Sequence, residues 1–183
     1  TDTVQVGKKI LQGKQTQKVL AFYKPVGVTC TERDPHAEKK IMDMIRYPER
    51  LTYAGRLDKD SEGLILLTND GDLINAMMRG ANRHEKEYIV KTDREITPDF
   101  LEKMAKGIYL KDLDITTREC EIEQIGKFTF RIVLTQGVNR QIRRMCEACG
   151  YRVKALKRIR IMNILLGDMK PGKWREITGE ELE

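Results

Sequence analysis

Long apolar runs are missing from this chain. Those present, such as Leu64 to Leu67 and Ile164 to Leu166, are far shorter than the roughly 20 residues a helix needs to cross a bilayer, so no membrane-spanning helix is expected. The opening segment, Thr1 to Lys14, has no apolar signal-peptide core and starts without Met, which predicts a cut or processed cytoplasmic chain rather than a secretory precursor. Cysteine is scarce as well. Cys30 and Cys120 stand alone, and Cys146 with Cys149 forms a C-x-x-C with no second pair to complete a tetrahedral zinc site. The two histidines, His36 and His84, are remote from that pair in sequence, so no metal is expected. Internal repeats, heptads and low-complexity tracts are absent, which excludes a repeat array.

Charge is plentiful. The chain carries 34 Lys and Arg against 28 Asp and Glu, a net +6, with a pI near 9.1. Such mild basicity suits a polyanionic partner. With 183 residues, 40% of them hydrophobic, the chain can bury a core as one domain, or one domain in two lobes.

Patterning predicts a short hairpin or arm over Val4 to Gln17, then a strand at Val19 to Tyr23 and a turn at Lys24-Pro25-Val26-Gly27-Val28. A polar loop, Thr31 to Pro35, leads to a helix with Ile41, Met44 and Ile45 at helical spacing, ended by Pro48. Strands follow at Leu51 to Ala54 and Gly63 to Thr68, around the loop Gly55 to Glu62. Asn69-Asp70-Gly71 opens a helix carrying Leu73, Ile74 and Met77, closed by Gly80. Glu87 to Lys91 reads as a strand, and Thr97 caps a helix with Pro98 in its first turn. A hairpin is expected over Glu119 to Gln124 and Phe128 to Leu134, with Phe128, Phe130, Ile132 and Leu134 on one face. Strands near Arg152 to Leu156, Arg158 to Asn163 and Trp174 to Ile177 complete an α/β chain, α+β in layout, with a mixed, mostly antiparallel sheet flanked by helices.

The helix expected from Asn139 to Cys149 places Ile142, Met145, Cys146 and Cys149 on its core face. At about 100° per residue, Arg140 and Arg144 then point to solvent and Arg143 lies on the border between the faces. The loop Gly55-Arg56-Leu57-Asp58-Lys59-Asp60-Ser61-Glu62-Gly63 sets three carboxylates and two cations between apolar segments. By charge content alone it is a solvated turn. Asp58 follows Leu57 close to the strands, whereas Asp60 and Glu62 fall at the hydrophilic tip, so Asp58 is the carboxylate expected to be held in place.

Gly55-Arg56-Leu57-Asp58-Lys59-Asp60-Ser61-Glu62-Gly63-Leu64 resembles the signature loop of RNA pseudouridine synthases. Lys24-Pro25-Val26-Gly27 and Arg140-Gln141-Ile142-Arg143-Arg144-Met145 resemble the RsuA/RluB/RluE/RluF-type branch of that family. His84-Glu85-Lys86-Glu87-Tyr88 and Arg158-Ile159-Arg160-Ile161-Met162-Asn163 resemble its RluF-type members most. The likeness runs from Lys24 to about Thr178, with its motifs in order.

The resemblance implies a pseudouridine synthase fold with a cleft between two lobes, and a cofactor-free, monomeric isomerase. It would detach uracil from C1′ of a uridine in a stem-loop of large-subunit (23S) ribosomal RNA, or of transfer RNA, and rejoin it through C5. Asp58 matches the catalytic aspartate, Arg143 the arginine that keeps it ionised, and Tyr88 the tyrosine that stacks on uracil and serves proton transfer at C5. Leu156 matches an aliphatic residue packed against the base. Arg56 is expected to fill the gap left by the extruded nucleotide, and Arg140 and Arg144 to contact phosphates. Lys24, Lys86, Lys157, Arg158 and Arg160 would extend a positive surface. The branch normally begins with an S4-type RNA-binding domain; residues 1–18 are expected to be its remnant or linker, and 19–183 the catalytic domain. Two alternatives stay open: a noncatalytic RNA-binding or ribosome-assembly protein, and a hydrolytic glycosidase with a second carboxylate poised as acid near Asp58.

Overall fold

A computed structural model describes residues 17–30, 41, 44–45, 47–80, 83–177 and 181. The arm expected over Val4 to Gln17, save Gln17 itself, and the loop from Thr31 to Pro35 lie outside the described residues, whereas Ile41, Met44 and Ile45 are helical. Among the described residues the strands are β1 (Val19–Lys24), β2 (Thr52–Tyr53), β3 (Glu62–Thr68), β4 (Lys86–Thr92), β5 (Tyr109–Leu110), β6 (Ile115–Thr116), β7 (Glu121–Gly126), β8 (Thr129–Leu134), β9 (Val153–Ile161), β10 (Ile164–Leu165) and β11 (Trp174–Glu176). The helices described along their whole length are α1 (Gly71–Arg79), α2 (Pro98–Lys106) and α3 (Gln141–Ala148). No helix among them is long and apolar enough to cross a membrane.

The main sheet runs β11-β1-β3-β9-β4-β8-β7, with β2 on β3 and β10 on β9. Every pairing in it is antiparallel but one, β3 with β9, which joins its two halves through Glu62 opposite Lys157 and Gly63 opposite Arg158. Both faces of the β1–β3 half are covered. Leu20, Phe22, Ile65 and Leu67 pack with Ile41, Ile45 and Leu51 on one side, while Ala21, Leu64 and Leu66 meet Met77, Ile164 and Leu166 on the other. Two-sided burial explains why these strands read as unbroken apolar runs.

The other half alternates. Val90, Phe130, Ile132, Leu134 and Leu156 bury against Phe100 and Met104 of α2 and Ile142, Met145 and Cys146 of α3. The opposite face carries Arg131, within 3.6 Å of Glu87, 3.3 Å of Glu121 and 3.2 Å of Glu123, and Arg160, 2.9 Å from Glu87 and 3.2 Å from Glu85. Arg160 is therefore neutralised in a cross-strand ladder rather than adding to a positive surface. Phe128, expected on the buried face, sits in the hairpin turn at 38% exposure. Cys146 of the C-x-x-C is wholly buried, and burial pushes its thiol well above the ordinary range.

Local signals set the ends of α2. Thr97 Oγ1 accepts from the Phe100 N–H at 3.1 Å, Pro98 opens the helix, and Gly107 follows it. Thr97→Ala removes that cap and is expected to cost about 1 kcal/mol, read as a lower urea midpoint with an unchanged slope.

The strands expected to break near Lys157 are one continuous strand, β9. Lys157 and Arg158 look like a polar interruption, but Arg158 is 5% exposed and spends its guanidinium on backbone carbonyls of the neighbouring half.

Candidate active site

The loop between β2 and β3 is pinned from below. Leu57 is buried in the core with Phe22 and Ile45, which leaves Arg56 exposed and Asp58 half-buried on either side of it. Arg158 Nε donates to the Leu64 carbonyl at 2.8 Å and Nη1 to the Arg56 carbonyl at 3.3 Å. Lys24 Nζ donates to the carbonyls of Val28 at 2.7 Å, Pro25 at 2.8 Å and Lys59 at 3.3 Å. The Gly27 N–H reaches the Lys59 carbonyl at 2.7 Å, and the Ser61 N–H the Asp58 carbonyl at 3.0 Å. Lys24 is fully buried. Desolvation pushes its ammonium down to about 8, against the upward pull of the Cys30 thiol and of Asp58, Asp60 and Glu62. Lys24 and Arg158, expected on a positive surface, are thus internal clamps, and their carbonyl partners offset the cost of burying charge.

Glu62 is not at the loop tip either: it begins β3 and accepts the Tyr23 hydroxyl. Asp60 is likewise held. Arg140 forms a two-pronged pair with it, Nη1 to Oδ1 at 3.0 Å and Nη2 to Oδ2 at 2.9 Å. Arg143 lies 3.5 Å from the same carboxylate and donates from Nη2 to the Asp60 carbonyl and to Ser61 Oγ, both at 3.1 Å. The Arg140 hydrogen bond, aided by both positive charges and opposed by burial, holds Asp60 below the usual carboxylate range.

The guanidinium within ion-pair distance of Asp58 is that of Arg140, at 3.6 Å, whereas the close pairing of Arg143, expected with Asp58, is with Asp60. The reason lies at the start of α3. The helix begins at Gln141, and Arg140 is its N-cap in the left-handed region, φ +51 and ψ +37. That conformation is uncommon for a side-chain-bearing residue; Arg140 stays 40% exposed, as the helical wheel expected, yet is turned toward the loop's carboxylates. Arg143 does fall on the border, 12% exposed, and reaches the loop one carboxylate further along.

A cavity of about 310 Å³ opens beside Asp58, where the two halves of the sheet meet. Arg56, Asp58, Tyr88, Arg140, Arg143 and Leu156 all line it. Arg144 does not; it turns back to the Asn139 carbonyl at 2.9 Å and lies 3.9 Å from Asp112. Tyr88 is aimed by an irregularity: Glu87 pairs with Arg160 but Tyr88 with Arg158, so Ile159 is an extra residue on β9. Bulges of this kind re-aim side chains beside active sites.

Met77 and Met78 of α1, His84, Lys86 and the segment Gln136 to Asn139 complete the wall. None of these was expected to line the site, and Lys86 was expected only as part of a positive surface. Burial, then the nearby Arg158 charge, pushes the Lys86 ammonium down to about 8. Asp60, with its charge locked by two arginines, is unsuited to donate a proton, which counts against the glycosidase alternative.

The sequence matches the family described as RNA pseudouridylate synthase over residues 18–148. It is 44% identical over 183 residues to the dual-specificity RNA pseudouridine synthase RluF of Escherichia coli (strain K12), covering 99% of this chain and 62% of that protein. It is 35% identical over 169 residues to the ribosomal large subunit pseudouridine synthase B of Vibrio cholerae, covering 87% of this chain and 51% of that one. A solved pseudouridylate synthase superposes with a TM-score of 0.81 at 27% identity, over 91% of this chain and 72% of the other. The chain thus spans between about half and two thirds of the length of these curated relatives.

Proposed function

Because this chain belongs to the RNA pseudouridylate synthase family, we propose that it isomerises a uridine to pseudouridine in a stem-loop of large-subunit ribosomal RNA, in the cytoplasm, through a catalytic unit formed by residues 19–183. The observation that carries this is the shared cavity: Asp58, Tyr88 and Leu156 line one space, with Arg140 at 3.6 Å from the carboxylate. Its volume of about 310 Å³ lies at the small end of ligand pockets, roughly 300–1,000 Å³, and suits one extruded nucleotide. The ribosomal substrate is supported by the name of the Vibrio relative, ribosomal large subunit pseudouridine synthase B.

Breaking the bond between N1 and C1′ builds positive charge on the sugar, and Asp58 is the anion placed to meet it. Arg140 and Arg143 hold Asp60 below the usual carboxylate range, and Arg140 sets a positive charge 3.6 Å from Asp58. Tyr88 and Leu156 hold the detached uracil between them while it turns to present C5. Rejoining through C5 releases the proton that carbon carried, a transfer in which Tyr88 takes part. Arg56, exposed at the rim, occupies the gap in the stack, because extruding a base costs a few kcal/mol that an inserted side chain offsets.

The test uses protein-free large-subunit ribosomal RNA tritiated at uridine C5. Isomerisation is expected to release tritium to water in proportion to enzyme, with no free uracil. Free uracil would show hydrolysis, and bound RNA without tritium release would show a noncatalytic binder; either result defeats the proposal.

A further inference from the structure

Asp60 holds a position that loop composition does not explain. Its carboxylate takes both terminal nitrogens of Arg140, at 3.0 and 2.9 Å, and stands 3.5 Å from Arg143, while its carbonyl accepts from Arg143 at 3.1 Å. Arg140 therefore faces two carboxylates at once and is hydrogen-bonded to one of them. Toward Asp58 it keeps 3.6 Å, close enough to stabilise the anion but too long for a strong charge-assisted hydrogen bond, which sits near 2.7–2.9 Å. The left-handed backbone at Arg140 fixes where its arm starts, so the forked grip of Asp60 decides where it ends.

We infer that Asp60 is a positioning residue of the isomerisation: by gripping Arg140, it holds a positive charge beside Asp58 and keeps that charge from closing on it. Without this grip Arg140 is free to fork onto Asp58, whose oxygens would then be occupied as hydrogen-bond acceptors instead of facing C1′. RNA lying over the cleft excludes water and strengthens every pair in the cluster. This inference rests on the reading of Asp58 as the catalytic carboxylate, and it goes further by assigning a separate role to the second aspartate of the loop.

Single-turnover tritium release from the same RNA, measured over a range of enzyme concentrations, tests it. Asp60→Asn preserves the shape and removes the charge. It is expected to slow the limiting rate about 100-fold, the scale of an ångström-sized misplacement, while the half-saturating concentration stays within about threefold of wild type. Because Asp60 acts through Arg140, the double variant Asp60→Asn/Arg140→Gln is expected to be no slower than Arg140→Gln alone. Asp60→Glu keeps the charge and is expected to recover at least about tenfold of the lost rate; it also carries the test if Asp60→Asn shows a lowered urea midpoint. A wild-type rate in Asp60→Asn, a loss confined to RNA affinity, multiplying losses in the double variant, or no recovery in Asp60→Glu each overturns the inference. A silent wild type strikes the functional reading itself, and this inference falls with it.

Discussion

Asp58→Asn is expected to abolish tritium release from uridine C5, with a loss of at least about 10³-fold against wild type. Removing one preorganised catalytic group commonly costs this much or more, and the residual rate reports what the rest of the site still does. The substitution keeps the shape of the side chain. The loop does not depend on the Asp58 carboxylate for its path, because Leu57 is buried in the core and the carbonyls of Arg56 and Lys59 are held by Arg158, Lys24 and the Gly27 N–H. The urea midpoint should therefore stay close to wild type and RNA should still bind. Full release by Asp58→Asn would remove this carboxylate from the mechanism, whatever the fate of Asp60.

Gly63→Ala is expected to cause the largest loss of stability. Gly63 has φ +113, and a Cβ there would stand 2.2 Å from the Arg158 carbonyl oxygen and 2.8 Å from its nitrogen. Neither atom can give way alone, because Gly63 and Arg158 form one of the two register pairs of the parallel joint between the halves of the sheet. The backbone conformation itself costs a side-chain-bearing residue about 1–2 kcal/mol. Separating the strands adds lost hydrogen bonds and a displaced Arg158, so the total is expected to reach about 3 kcal/mol or more. That is a large share of the 5–15 kcal/mol that holds an ordinary domain together. Urea unfolding measures it directly, and an unchanged midpoint would show that the joint is looser than its geometry. Surviving folded protein should also be slow in tritium release, because Arg158 holds the Arg56 carbonyl at the start of the loop that carries Asp58.

Legibility followed the range of the forces involved. Thr97, Pro98 and Gly107 bound α2 where sequence places them, because a cap is settled by a handful of neighbouring residues. Phe130, Ile132 and Leu134 bury together as their alternation predicts, because a pleated strand repeats every second residue. The helical wheel put Arg143 half inward, and it is. It put Arg140 toward solvent, where it stays 40% exposed, but not beside Asp58 and Asp60, because a left-handed residue at the helix start aims its side chain in a way no wheel describes.

Buried cations were the other blind spot. Lys24 and Arg158 look like surface charges in any composition count, yet both lie inside, with backbone carbonyls around their nitrogens, those of Val28 and Lys59 for Lys24 and of Leu64 for Arg158. Those acceptors belong to the backbone, which every residue shares, so no pattern of side chains announces them. The same holds for His84, Met77 and the segment after β8, whose place on the cavity wall follows only from how the strands are ordered.

By itself the sequence determined the kind of elements, most of the apolar residues that leave water, and the short acidic loop whose motif marks the family, because each of these depends on chemistry within a few residues. Tertiary structure alone decided that Arg140 stands between Asp58 and Asp60 while Arg143 pairs with Asp60. A guanidinium chooses its carboxylate by distances of an ångström or less, and such distances exist only once Gly63 has let the two halves of the sheet meet.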